Sequence, residues 1–379
     1  MEKSEKTMND VFLNRANKYG NRLAIEKKMG GVWHGATWTE YYDRARAVGL
    51  GLWSLGVRKG NTVSILSENM LEWLYTDMGS LGIGACVIPV YPTLCSDDIE
   101  YIVKDSESKI IVPENRNQLK KVLEIVDRCP SLEKIIVMEE KDAGGHPKVM
   151  SFQNLLELGR RKYTEEPSLF EKLSRDVTVD DLATIVYTSG TTGLPKGAMI
   201  THGNIFWVVQ SLDAIRPHFA SDKDCTVPFL PLSHVFERIA GHFYGMYCGI
   251  TSSYVESIDT LLADLEEKRP TMILAVPRVC EKVYQKIMAQ VQEQSPFKQK
   301  IFAWGQKVGN RISELREGHK RIPLFLKLKY KIAYKAIFKK LQDKLGGRVT
   351  WMTASGAPQP KRSFASSTPP ASRSSRDTA

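Results

Sequence analysis

The chain has 379 residues, 42% hydrophobic and 25% charged, the composition of a soluble globular protein with room for one large or two ordinary cores. Its net charge is +10, and 17 lysines and arginines against 4 acidic residues fall between Lys282 and Arg348, so that segment holds the basic excess and the remainder is slightly acidic. The six cysteines show neither C-x-x-C nor zinc-ligand spacing, the opening M-E-K-S-E-K-T-M-N-D has no apolar secretory core, and no stretch approaches about 18 uninterrupted apolar residues. A disulfide framework, a secretory leader and a membrane span are therefore not expected, and a cytoplasmic location is.

In chain order, Thr37-Trp38-Thr39-Glu40 has the spacing of a capping box. Tyr41, Ala45, Val48, Leu52 and Leu55 then recur at helical steps, and Gly56 can end the helix. Short β-branched runs at Thr62–Leu66, Ala85–Val90, Lys109–Val112 and Lys134–Met138 are interspersed with helical patterns such as Ser96–Ser106 and Arg116–Asp127. Strands alternating with helices predict βαβ units, a mostly parallel sheet and an α/β fold. Asp142–Pro147, D-A-G-G-H-P, reads as a surface loop. A strand over Asp181–Tyr187 runs into a Gly/Thr-rich loop, Ala198–Thr201 is extended, and Thr201–Val209 starts a helix. Further strands are predicted at Ser252–Val255, Met272–Val276 and Val349–Ala354, and a long basic helical stretch between about Arg278 and Leu345.

The loop T-S-G-T-T-G-L-P-K-G, Thr188 to Gly197, carries the clearest chemistry. Gly190 and Gly193 let the backbone turn tightly and approach a phosphate. Thr188, Ser189, Thr191 and Thr192 offer hydroxyls, Lys196 offers a mobile positive charge, and successive N–H groups in such a turn form an anion-binding concavity. It is not a Walker A loop, because Leu194-Pro195 follow the second glycine and Gly197 follows the lysine. A Ser/Thr/Gly surface turn is the plain alternative, and this specific order behind a buried strand weighs against it.

Y-T-S-G-T-T-G-L-P-K-G-A resembles the signature of the adenylate-forming (AMP-binding) superfamily. F-L-P-L-S-H-V-F-E-R (Phe229–Arg238) is similar to its next motif. A-V-P-R-V-C-E-K-V-Y (Ala275–Tyr284), Y-P-T (Tyr91–Thr93) and D-S-E-S-K (Asp105–Lys109) resemble the long-chain fatty acyl-CoA synthetase branch. The resemblance covers about residues 8–358. It implies a large N-terminal domain of β-sheets sandwiched by helices, and an acid–thiol ligase that uses ATP, Mg²⁺ and CoA to convert a fatty acid to acyl-AMP and then acyl-CoA. It further implies that Lys196 and the loop from Thr188 to Gly193 hold the phosphates, that Thr188 helps to ligate Mg²⁺, and that Gly356, Ala357 and Pro358 begin the adenine-binding segment. An adenylating ligase for another acid, and a non-catalytic ATP- or acyl-binding remnant, are the alternatives.

Other residues stay open between roles. His234, flanked by apolar residues, is by default a packed core histidine and by resemblance lies near the acyl site. Phe206 and Trp207, on the helix after the loop, are core residues by default or line an acyl channel. Glu237 and Arg238 read as an ordinary surface pair. His202 reads as a capping or turn residue without a role. Ile322–Leu345 has apolar residues on one face and lysines on the other. That fits a packed helix with a solvated basic face, or peripheral attachment of the basic region, residues 282–348, to an anionic membrane at its inner face. Nucleic acid is not an expected partner, since no binding motif accompanies the charge.

After Pro358 the sequence turns polar, with six serines and three prolines. Residues 359–379 read as a disordered tail apart from the domain spanning 1–358. A one-base shift of reading frame from Gln359 onward is compatible with A-K-E-I-I-R-F-F-N-A-A-G-I-P-V-I-E-G-Y-G, a helix, a strand and the Gly-Tyr-Gly that the resemblance implies next. A frameshift near Pro358–Gln359, an incomplete large domain, no small C-terminal domain, and little or no activity in the chain as written are therefore expected.

Overall fold

The structure is a computed structural model that describes residues 5–188, 194–215 and 220–354. The expected tail and the proposed adenine segment Gly356–Pro358 lie outside the described residues, as do Ser189 to Gly193 of the loop. The chain divides into two compact units, Met1–Lys223 with Phe229–Glu256, and Asp224–Pro228 with Ser257–Ala379.

The first unit opens with α1 (Met8–Tyr19), the hairpin β1 (Leu23–Met29) and β2 (Val32–Thr37), and α2 (Trp38–Ser54). The expected capping box is formed: Thr37 Oγ1 accepts the Glu40 N–H at 3.2 Å and Glu40 Oε2 accepts the Thr37 N–H at 2.8 Å. Next come β3 (Thr62–Leu66), α3 (Leu71–Gly82), β4 (Cys86–Val90), α4 (Ser96–Asp105), β5 (Ile110–Pro113), α5 (Arg116–Leu123), β6 (Lys134–Val137) and β7 (Val149–Ser151). They are followed by α6 (Phe152–Glu165), α7 (Leu169–Arg175), β8 (Leu182–Thr188), β9 (Lys196–Thr201) and α8 (His202–Ile215). A seven-stranded sheet has the order β7-β6-β5-β3-β4-β8-β9, parallel throughout except for the β8–β9 hairpin. Its central strands are buried on both faces, which is why they read as mostly apolar, β-branched runs. Leu66, Ile88, Ile111 and Ile135 pack beneath Ile99, Val103, Leu119 and Val122.

β10 (Cys225–Thr226) belongs to the second unit, whereas α9 (Tyr244–Cys248) and β11 (Thr251–Tyr254) complete the first, with β11 parallel to β1. The second unit continues with α10 (Leu261–Lys268), β12 (Met272–Ala275), α11 (Pro277–Gln292), α12 (Pro296–Glu317), α13 (Leu324–Ala333), α14 (Lys339–Lys344) and β13 (Trp351–Ala354). β12 pairs in parallel with both β10 and β13. The single helix expected over Ile322–Leu345 is instead two α-helices joined by a π turn, Tyr334–Phe338, where the Lys339 N–H reaches back five residues to the Tyr334 carbonyl.

α2 lies between α3 and α6 at distances only glycine permits. A Cβ on Gly159 of α6 would stand 1.7 Å from the Ala47 carbonyl oxygen of α2. Gly159→Ala gains about 1 kcal/mol of helix propensity, but overpacking against a rigid backbone costs more. The expected net loss is about 2 kcal/mol or more, read as a lower urea midpoint with unchanged slope.

Candidate active site

β8 and β9 bring the two ends of the Gly/Thr loop together. Their ladder ends on the rung Thr188–Lys196, so the hydroxyl and the ammonium stand on directly opposed strand positions. Both residues are exposed. Neither side chain bonds to another described residue. Gly197 is required beside them: a Cβ there would come within 2.6 Å of Ile185 Cγ2 and 3.2 Å of the Tyr187 ring.

The strand end is tethered from the side. The Tyr187 hydroxyl donates to Asp105 Oδ2 at 2.6 Å, and its ring meets Tyr101 edge-on. Burial, with the neighbouring Asp105, pushes the Tyr187 phenol well above its ordinary range. The D-S-E-S-K segment therefore has a structural task. Asp105 holds the residue next to Thr188, and Ser108 shares a buried 2.7 Å hydrogen bond with Ser64 of β3.

The F-L-P-L-S-H-V-F-E-R segment is held by a residue that sequence reasoning passed over. Asn69 donates to the Leu230 carbonyl and accepts the Leu232 N–H, both at 2.7 Å, imitating a strand neighbour. His234 is exposed rather than packed in the core, and its Nδ1 accepts the Phe236 N–H at 3.1 Å. The default for Trp207 also needs correcting: it is 69% exposed, while its neighbour Phe206 is the buried one, edge-on to Tyr247. Helical geometry explains this, since adjacent residues on α8 point about 100° apart and only one can face inward. His202 is buried and carries no cap. The cap is Thr201, reciprocally bonded to Asn204 at 3.0 and 3.1 Å. Burial lowers the His202 ring to about 4, and its Nε2 has no hydrogen-bond partner among the described residues.

Glu237 and Arg238 are not a surface pair. Each is 1% exposed and they do not bond to each other. They open a π turn, Glu237–Phe243, in which the Tyr244 N–H reaches the Ile239 carbonyl. Neighbours on a helix diverge, so the two side chains go separate ways. Arg238 makes a two-pronged ion pair with fully buried Asp77 of α3, with Nε to Oδ2 at 3.1 Å and its Nη2 on Oδ1. Its Nη1 donates to Thr184 Oγ1 at 2.6 Å, and Thr184 donates in turn to the Val87 carbonyl at 2.6 Å. Burial raises the Asp77 carboxyl and the facing guanidinium pulls it back. Thr184 and Thr188 lie on the same strand, so this chain of bonds anchors the strand that carries the loop. The sequence held one sign of it: Asp77, set among Trp73, Leu74, Met78 and Leu81 in the helix L-E-W-L-Y-T-D-M-G-S-L-G, demands a buried partner.

Glu237 goes the other way, beside Tyr254, and its Oε2 has no partner among the described residues. Burial lifts its carboxyl to about 8. His242, one turn on, bridges the Tyr41 hydroxyl at 3.2 Å and the Tyr254 hydroxyl at 3.3 Å, and burial lowers its ring to about 3.

A family model described as AMP-binding enzyme matches residues 12–363. The long-chain-fatty-acid–CoA ligase ACSBG2 of Xenopus laevis is 31% identical over 346 residues, 90% of this chain and 46% of the relative. The long-chain-fatty-acid–CoA ligase FadD15 of Mycobacterium bovis is 30% identical over 338 residues, 89% of this chain and 54% of the relative. The chain thus spans about half the length of the curated relatives it matches. Two solved structures share the fold. The anthranilate CoA ligase AuaEII bound to anthranoyl-AMP has a TM-score of 0.61 at 21% identity, over 72% of this chain and 50% of that one. A fatty acyl-adenylate ligase from L. pneumophila bound to acyl adenylate and pyrophosphate has a TM-score of 0.60 at 19% identity, over 78% of this chain and 47% of that one.

Two outcomes follow from the buried charges. Arg238→Met strands Asp77 without a counter-charge and should cost about 3–5 kcal/mol, whereas Asp77→Leu combined with Arg238→Met should recover most of that loss. Urea unfolding of both variants checks this. For Glu237 the folded state holds a proton up to about 8, while the unfolded residue ionises near 4.5. The folded protein binds more protons across that window, so this group costs increasing stability as pH rises through it. Glu237→Gln removes the titration. Its stability relative to the parent should therefore climb from 4.5 to about 8, with a slope approaching about 1.4 kcal/mol per pH unit, and level off above. A difference independent of pH would mean that Glu237 titrates as an exposed glutamate.

Proposed function

The chain belongs to the AMP-binding enzyme family, and from that premise we propose that it activates a long-chain fatty acid with ATP, as part of an acid–thiol ligase that passes the acyl group to CoA. The observation that carries this reading is the rung Thr188–Lys196 at the mouth of the β8–β9 hairpin. In the first step a carboxylate oxygen bonds to the α-phosphorus of ATP while the bond to the β-phosphate oxygen breaks, giving acyl-AMP and pyrophosphate. In the second, the CoA thiol bonds to the acyl carbon and AMP leaves. The first step crowds anionic oxygens together, so it needs fixed positive charge and positioning more than covalent help. Lys196 would supply the charge at the pyrophosphate, and the Ser189–Gly193 stretch its backbone N–H groups. Mg²⁺, when bound, would neutralise part of the triphosphate charge. An oxygen-seeking ion with one or two protein ligands fits the exposed Thr188 hydroxyl. Exposed His234 and Trp207 are the candidates for contact with the acyl group, and Gly356–Pro358 for contact with the adenine.

Palmitate-dependent exchange of labelled pyrophosphate into ATP tests this. Lys196→Ala should lower exchange about 10²–10³-fold, the size of loss when one fixed electrostatic partner of a developing charge is removed, at an unchanged thermal midpoint. Exchange equal to the parent would remove Lys196 from the reaction. Lys196-dependent binding of ATP with no exchange would identify a nucleotide-holding role for this chain.

A further inference from the structure

α13 is apolar on two faces. Leu326 and Ala333 turn inward, joining Val308, Ile312 and Leu315 of α12 and Ile337 and Phe338 of the following π turn. Leu324, Phe325, Leu328 and Ile332 turn outward, 83, 64, 62 and 54% exposed. At about 100° per residue these four positions form one stripe about 100° wide. The outer face is thus not the purely basic one that the amphipathic pattern suggested. Lys327, Lys329 and Lys331, all exposed, are interleaved with the stripe. Lys329 lies 5.7 Å from the Phe325 ring centroid. None of the three makes an ion pair among the described residues. Between Lys320 and Lys340 there are eight lysines and arginines and not one carboxylate.

A solvent-facing helix stripe is ordinarily polar, and four large apolar side chains exposed together mark a surface that meets something other than water. Uncompensated lysines around them ask for an anionic partner. Nucleic acid would leave the leucines and phenylalanine unsatisfied. An anionic bilayer answers both, because its acyl boundary takes the apolar stripe and its phosphates take the lysines, whose stems can snorkel outward. No helix among the described residues is long and apolar enough to cross a membrane. Ten residues of α13 reach about 15 Å, half the hydrocarbon thickness, so the helix can only lie in the interface.

We propose that the outer stripe of α13 is a docking surface for an anionic lipid bilayer, with Leu324, Phe325, Leu328 and Ile332 in the acyl–headgroup boundary and Lys327, Lys329 and Lys331 on the headgroup phosphates. This goes beyond fatty-acid activation and does not depend on it. Sedimentation of the full chain with phosphatidylcholine vesicles, with and without phosphatidylglycerol, tests it. The phosphatidylglycerol vesicles should bind the chain at least about ten-fold more tightly, because the lysines engage the anionic headgroups, and less so at high salt. Phe325→Ser with Leu328→Ser should lower that binding at least about ten-fold while the thermal midpoint holds, since the side chains are exposed. Lys327→Ser with Lys331→Ser should abolish most of the preference for the anionic lipid. No binding to either vesicle, binding that the apolar substitutions leave intact, or a dimer of the parent that those same substitutions dissociate would each overturn the proposal, the last by making the stripe a contact between copies of this chain.

Discussion

Burying Asp77 and Arg238 together takes two full charges out of water, a step that costs several kcal/mol per ion unless every donor and acceptor is met. Here the two-pronged contact satisfies the carboxylate, and Thr184 takes the remaining guanidinium edge. The arrangement contributes less to stability than to uniqueness. A slipped α3 or a rotated turn would leave a bare charge in the core, so competing packings are penalised far more than the native one is rewarded. Because Thr184 also donates to Val87, the constraint passes into the seam between β4 and β8, where Val87 opposite Thr184 is the described backbone register. Thr188 and Lys196 inherit their placement from this seam.

Around the same turn, three ionisable groups are kept inside. Arg238 is paired with Asp77. Burial holds Glu237 protonated up to about 8. Burial, with the Arg238 charge nearby, keeps His242 neutral while its two ring nitrogens meet tyrosine hydroxyls. The glutamate favours acid and the histidines favour base. Below the ordinary histidine range the unfolded chain takes up protons that His202 and His242 refuse, so stability falls on that side as well. The core around the turn is therefore tuned to an intermediate pH by groups with no assigned part in chemistry.

Much of the scaffold was legible in the chain. The Thr37–Glu40 box, the apolar strand runs and the strand leading into the loop each rest on a local rule, and each stands where the rule puts it. The β1–β2 hairpin escaped notice although Gly30-Gly31, both at positive φ, is the dipeptide such a turn favours. Partners distant in sequence were not legible. Arg238 and Asp77 lie 161 positions apart, as the sequence counts them, and no local pattern distinguishes a charge bound for the core from one bound for water. For the same reason the core default for Trp207 and His234 fails, since both stand exposed, while His202, read as a capping or turn residue, is buried. Of the phosphate loop itself, the motif gave the chemistry, and the hairpin register added that its first hydroxyl and its lysine are a single rung.

The π turn at Glu237–Phe243 carries a consequence of a different kind, one of arithmetic. A turn of this type holds one residue more than the α-helix around it would need. The inward aim of Arg238 and of His242, four residues later, is set by that extra count as much as by side-chain chemistry. Dropping one residue between them would remove the surplus that makes the turn, so the stretch would wind as plain α-helix and lose the five-residue reach of the Tyr244 N–H to the Ile239 carbonyl. The number of residues thus shapes this stretch as much as their side chains do, and substitutions alone would never reveal it.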